Sequence, residues 1–97
     1  MRPWSARVHG AGGICGAAVL ITEHHVLTCA HVVNAALGRP PTATTRPESL
    51  INLDFPAAPG TPRVQAAVAE DGWFPIEPDE RGDIAILHLT TPSPTGT

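Results

Sequence analysis

The sequence predicts an all-β fold: a six-stranded antiparallel barrel with one short helix after a histidine. Three observations point to it. Short apolar, β-branched runs recur with Gly, Pro and polar turn residues between them, while only one stretch has the composition of a helix. The 97 residues make one small domain with a limited core. Six strands in so short a chain leave open edges unless the sheet closes on itself, which removes them.

Each element follows from local pattern. Residues 6–9 form a short extended segment, ended by the flexible "GAGG" at 10–13. Residues 14–21 and 25–29 are two β-branched runs flanking Thr22-Glu23-His24, the pattern of a hairpin. A turn centred near Thr22 sets Cys15 opposite Cys29, and two free, buried thiols are expected there. From Ala30 the stretch "AHVVNAAL" carries helix formers and stops at Gly38 and Pro40-Pro41, enough for one or two helical turns. Residues 39–47 are rich in Pro and Thr and belong to a surface loop. Residues 49–55 alternate as a strand does, with Leu50, Asn52 and Asp54 opposite Ile51, Leu53 and Phe55. Residues 56–62 are a second loop. Residues 63–69 and 83–89 supply the last two strands, separated by "EDGWFPIEPDERG", where Trp73 and Phe74 are expected as loop anchors over the barrel mouth. The barrel thus occupies residues 1–90, and residues 91–97, all Pro, Ser, Thr and Gly, have the composition of a linker or a cut end.

Composition narrows the function. An apolar fraction of 42% rules out wholesale disorder, and only 4% aromatics means a core assembled from small aliphatic side chains. The net charge of −3, with no Lys and six scattered Arg, offers no basic patch for nucleic acid or an anionic membrane. Residues 14–21, the longest apolar run, are too few to span a bilayer. Met1, Arg2, Pro3 and Trp4 lead into polar residues with no apolar h-region, so a cytoplasmic location is expected.

Two polar residues stand where strands change. His31 follows the second strand of the hairpin in "VLTCAHVV", and Asp83 opens the apolar strand "DIAILHL" after Gly82. Brought together at one rim of a barrel, the carboxylate would hold Nδ1 of the imidazole and leave Nε2 free to accept a proton. Taken singly, a strand-end His is commonly a core residue and an Asp after Gly a turn residue. His25, Cys29 and His31 share parity, but on a straight strand rising about 3.3 Å per residue His25 and His31 stand roughly 20 Å apart. No metal site arises from them, and no cofactor motif is present. His24 and His25 are expected in the turn, and His9 and His88 facing solvent.

In this context "CGAAVLITEHHVLTCAHVV" resembles the segment around the catalytic histidine of trypsin-like serine proteases of the chymotrypsin clan, most of all their bacterial members. "GDIAILHL" is similar to their "DIALL" strand, which carries the catalytic aspartate. The resemblance runs from about Val8 to Leu89 and keeps the family order of His before Asp. It implies that His31 is the general base, that Asp83 orients it, and that the substrate is a protein or peptide. The family builds its site between two six-stranded barrels, and this chain matches the first. The nucleophile of the family sits in a "GDSGGP"-like loop of the second barrel. Here the serines are Ser5, Ser49 and Ser93, none in such a loop. Two departures follow. No Ile-Val-Gly-Gly precedes Cys15, which argues against activation by a freed amino terminus. Val32, not a cysteine, follows the histidine, so the usual disulfide of the family is missing.

Two functional classes fit. One is the His/Asp half of a serine endopeptidase, inactive by itself and completed by a second protease barrel from the same gene product or another chain. The other is a non-catalytic barrel of the same shape used for binding or scaffolding.

Overall fold

A computed structural model of the chain describes residues 2–79 and 81–94. Six strands and one helix succeed one another as β1 (Ser5–Gly10), β2 (Gly13–Thr22), β3 (His25–Thr28), α1 (Ala30–Ala36), β4 (Ile51–Asp54), β5 (Val64–Phe74) and β6 (Ile84–Leu89). All neighbouring strands are antiparallel and the sheet closes in the order β1-β2-β3-β6-β5-β4, with β4 returning to β1. This is the six-stranded barrel and the single helix that the sequence predicts.

Period-two alternation decides what is inside. Ala6 and Val8, Ala18 and Leu20, Ile51 and Leu53, Val64, Ala66 and Val68, and Ala85, Leu87 and Leu89 are all buried in one cluster, while residues between them face outward. Leu87 has no exposed surface and sits between its register partners Val26 and Val68. Removing such a side chain from water contributes about 1.5–3 kcal/mol. The interior is filled by aliphatic side chains, many of them Ala or Val.

Three expectations are corrected. The strand expected at residues 63–69 continues to Phe74. Its pairing with β6 jumps from Val68↔Leu87 to Trp73↔Ala85, so the polar Glu70-Asp71 segment bulges outward without ending the strand. Gly72 makes this possible, because a Cβ there would stand 2.8 Å from Cβ of Ile86. Trp73 is therefore a strand residue, and its Nε1–H donates to the Thr44 carbonyl at 2.8 Å, strapping the Pro/Thr loop to the barrel. Asn34, fully buried in α1, holds the same loop through Nδ2 to the carbonyls of Pro41 and Ala43.

The second correction concerns the cysteines. The hairpin turns at Glu23-His24, with Thr22 paired to His25. Beyond a one-residue β-bulge between Leu20 and Thr22 the register pairs Leu20 with Val26 and Val19 with Leu27. Carried forward, that register sets Ala17 rather than Cys15 opposite Cys29, and Oγ1 of Thr28 donates to the Ala17 carbonyl at 2.7 Å. Both cysteines are free, and half-buried rather than buried. The same hairpin holds His25 within β3, its Nδ1 2.8 Å from Oγ1 of Thr22.

The third concerns His9. Its side chain is only 10% exposed, with Nε2 2.7 Å from Oδ1 of Asp54. The end of α1 folds over this part of β1, so closely that a Cβ on Gly10 would stand 3.0 Å from the backbone of Ala36. Strand alternation alone cannot reveal a helix lying over the outer face. His88, by contrast, is exposed as expected.

At the tail, Ser93 is 8% exposed and its N–H donates to the Glu23 carbonyl at 2.9 Å, so residues up to 94 fold back on the hairpin turn. The remainder of the expected linker, residues 95–97, lies outside the described residues.

His9 joins an ion pair that bridges β1 and β4. Arg7 and Asp54 are register partners, and both guanidinium Nε and Nη2 donate to the Asp54 carboxylate. The Arg7 hydrogen bond, aided by His9, lowers the Asp54 carboxyl to about 2. A depressed carboxyl stabilises the fold above its unfolded value of about 3.9, and the gain is lost as pH falls through the folded value. Wild type is therefore expected to exceed Asp54→Asn in stability at pH 7 by about 1 kcal/mol after allowance for partial exposure. The two should converge as pH falls from about 4 towards 2. Urea unfolding across that range checks this, and a difference independent of pH would contradict it.

Candidate active site

The site begins with a helix that cannot cap itself. The α1 N-cap is Cys29, extended at φ −92° and ψ 145°, and its side chain makes no capping bond; the first turn holds no acidic residue. The Cys29 carbonyl accepts the N–H groups of Val32 and Val33. That leaves the N–H of His31 without an intrahelical partner. Oδ1 of Asp83, 52 positions further along the chain, accepts it at 2.8 Å. The carboxylate takes the place that a Ser or Asp N-cap usually fills, and its charge suits the positive end of the helix.

The second carboxylate oxygen holds the ring. Nδ1 of His31 lies 2.6 Å from Oδ2 of Asp83. One residue thus fixes both backbone and side chain of the histidine. A carboxylate accepts only, so Nδ1 carries the proton and Nε2 presents a lone pair. The His31 side chain is 49% exposed and that of Asp83 21%. The imidazole is open to solvent while the carboxylate behind it is largely covered.

Barrel closure brings the two together. β3 pairs with β6, and Thr28 stands opposite Ala85, so the chain leaving β3 and the chain entering β6 emerge side by side. Two backbone devices then set the angles. Gly16 in β2 lets α1 lie close, since a Cβ there would stand 2.7 Å from Cγ2 of Val32. Gly82 has φ +84°, and a Cβ there would meet the Pro75 carbonyl oxygen at 2.5 Å. Asp83 itself has φ +64°, the only positive value of a non-glycine residue among those described. This left-handed step turns its side chain back towards α1, and Asp tolerates it better than most residues.

Cys29 is the neighbour that sequence pattern did not associate with this pair. Its Sγ and one ligand-type atom each of His31 and Asp83 lie within 4.8 Å of one another. Burial and then the Asp83 carboxylate push the Cys29 thiol up, so it is neutral at pH 7. None of the three serines sits in a comparable setting. Ser5 is in β1 opposite Val19, Ser49 is exposed before β4, and Ser93 lies by the Glu23 turn at the far end of β3 from His31.

Replacing Asp83 by Asn keeps size and tolerance of positive φ but offers the ring an amide in place of a carboxylate. The imidazole ¹⁵N shifts of His31 should show the Nδ1–H tautomer in wild type and a shift towards Nε2–H in Asp83→Asn. Identical ring shifts in both would contradict the assigned contact.

Residues 1–97 match the family model described as Trypsin. No curated protein matches the sequence significantly. Among solved structures the fold is similar to that of neuropsin, a serine protease expressed in the limbic system of mouse brain. The TM-score is 0.56 at 16% identity, over 98% of this chain and 41% of the neuropsin chain. At that identity the likeness is one of fold, and the chain spans less than half of its neighbour. The family match, by contrast, runs along the whole sequence. The chain belongs to the trypsin family.

Proposed function

We propose that this chain is the His/Asp half of a serine endopeptidase, with His31 as general base and Asp83 as the residue that orients it. The observation that carries the proposal is the double grip of Asp83 on the backbone and ring of His31, in a barrel of the trypsin family. In that role Nε2 of His31 takes the proton of a serine hydroxyl as it attacks a peptide carbonyl, then gives it to the leaving amine. Asp83 remains ionised and stabilises the transient imidazolium.

The nucleophile and oxyanion donors belong to a second barrel, since no Gly-Asp-Ser-Gly occurs among the 97 residues. A row of outward apolar residues supports such a partner. Val19 pairs with Leu27, Leu27 with Ile86, and Phe74 with Ile84, the residue after Asp83. Val19, Leu27, Phe74 and Ile84 are all exposed. An apolar row beside a half-assembled site is what a packed second barrel would cover. The substrate class is a protein or peptide, and location in the cytoplasm is part of the proposal.

By itself the chain should show no peptidase activity and no labelling by a serine-directed fluorophosphonate. A general base acting on water alone offers about 10²–10⁴-fold, which is invisible against uncatalysed peptide hydrolysis. Joined to a second barrel carrying the family's nucleophile loop, the assembly should label on that barrel's serine. His31→Ala should lower its turnover about 10⁴-fold or more. Labelling of this chain alone, or a His31→Ala assembly with undiminished turnover, would overturn the proposal.

A further inference from the structure

The Cys29 thiol has no part in the proposed hydrolysis, yet it faces the same two side chains. We propose that Cys29, His31 and Asp83 form a binding site for a thiophilic divalent cation of the zinc type. Among the described residues this is the one group of three Cys, His, Asp or Glu side chains placed for a metal ion.

The donor set supports the cation class. One sulfur, one imidazole nitrogen and one carboxylate oxygen together suit a borderline ion such as Zn²⁺, and do not suit Mg²⁺ or Ca²⁺, which take oxygen. Geometry supports it too. Bonds of about 2.0–2.3 Å in a tetrahedron separate ligand atoms by roughly 3.3–3.6 Å. The three atoms already lie within 4.8 Å of one another, so side-chain rotations of about an ångström suffice. His31 is half exposed, which gives a route of entry, and three protein ligands leave a fourth position for water. The Asp83 carboxylate can serve both partners, since Oδ1 stays on the His31 N–H while Oδ2 turns to the cation.

Proton balance follows from the ligands. Cys29 binds as thiolate and its proton passes to the solvent. His31 coordinates through Nδ1, the nitrogen beside Asp83, so the ring proton moves to Nε2 with no net change on the ring. An imidazole protonated on Nε2 has lost the lone pair that a general base uses. Occupancy therefore switches the histidine off. This inhibitory consequence rests on the proposed hydrolase, whereas the cation site does not.

Titration of the reduced chain with Co²⁺ tests the site directly. A sulfur-to-cobalt charge-transfer band is expected at one equivalent, displaced by Zn²⁺. Cys29→Ala should abolish the band, and Asp83→Asn should weaken binding about 10-fold or more. Cys15→Ala should leave it intact, as should His24→Ala and His88→Ala, which remove members of the imidazole group around His88. Circular dichroism of each variant separates loss of ligand from loss of fold. No sulfur band, or one that survives Cys29→Ala in a folded chain, overturns the site. In an active two-barrel assembly Zn²⁺ should slow fluorophosphonate labelling, and Cys29→Ala should relieve it. A cobalt band without that relief overturns the inhibitory role alone, and an inactive assembly with an intact cobalt band counts only against the hydrolase.

Discussion

One carboxylate joins the helix to the barrel. Asp83 accepts from the backbone and the ring of His31, and nothing in α1 or its N-cap could replace either bond. A seven-residue helix is too short to persist by propensity alone, so its stability comes from what it packs on and from how its first turn is satisfied. Val32 and Val33 insert into the core, Asn34 ties the following loop, and Asp83 fixes the start. The geometry of the site and the stability of the helix therefore depend on the same residue. The positive φ of Asp83 is held by its place between Gly82 and the first pair of β6.

The barrel makes this possible by being small and closed. Closure pairs β3 with β6, which are far apart in sequence, and this pairing alone brings residue 31 to residue 83. The small residues that fill it serve approach as well as packing. Gly16 admits Val32, Gly10 admits the end of α1, and Gly72 lets β5 ride over Ile86. Adding a methyl at any of these would push a helix or strand outward, and at Gly16 the shift would fall on the residue after His31.

Much of this was legible because barrel strands alternate. β1, β2, β3, β4 and β6 follow from inward Val, Leu, Ile and Ala at every second position, and α1 from the change of composition after Cys29. What escaped was set by events that leave no periodic trace. A turn set at Glu23-His24 rather than at Thr22 displaced Cys15 from Cys29, a wide irregularity hid the second half of β5 behind Glu70 and Asp71, and α1 lying over β1 turned His9 from a surface residue into a partner of Asp54. His31 and Asp83 were legible from their motifs. The approach of Cys29 to Asp83 was not, because parity along β3 suggests neighbours on the same strand and the real neighbour stands just before β6, the strand paired with β3.

Amide hydrogen exchange of His31 tests the central claim most directly. If Asp83 caps α1, the His31 N–H exchanges slowly in the native chain. In Asp83→Ala it then loses protection about 10-fold or more, while the Val26 and Leu87 amides in the barrel wall keep theirs. A His31 amide unprotected in the native chain, or one equally protected without the carboxylate, would contradict the account.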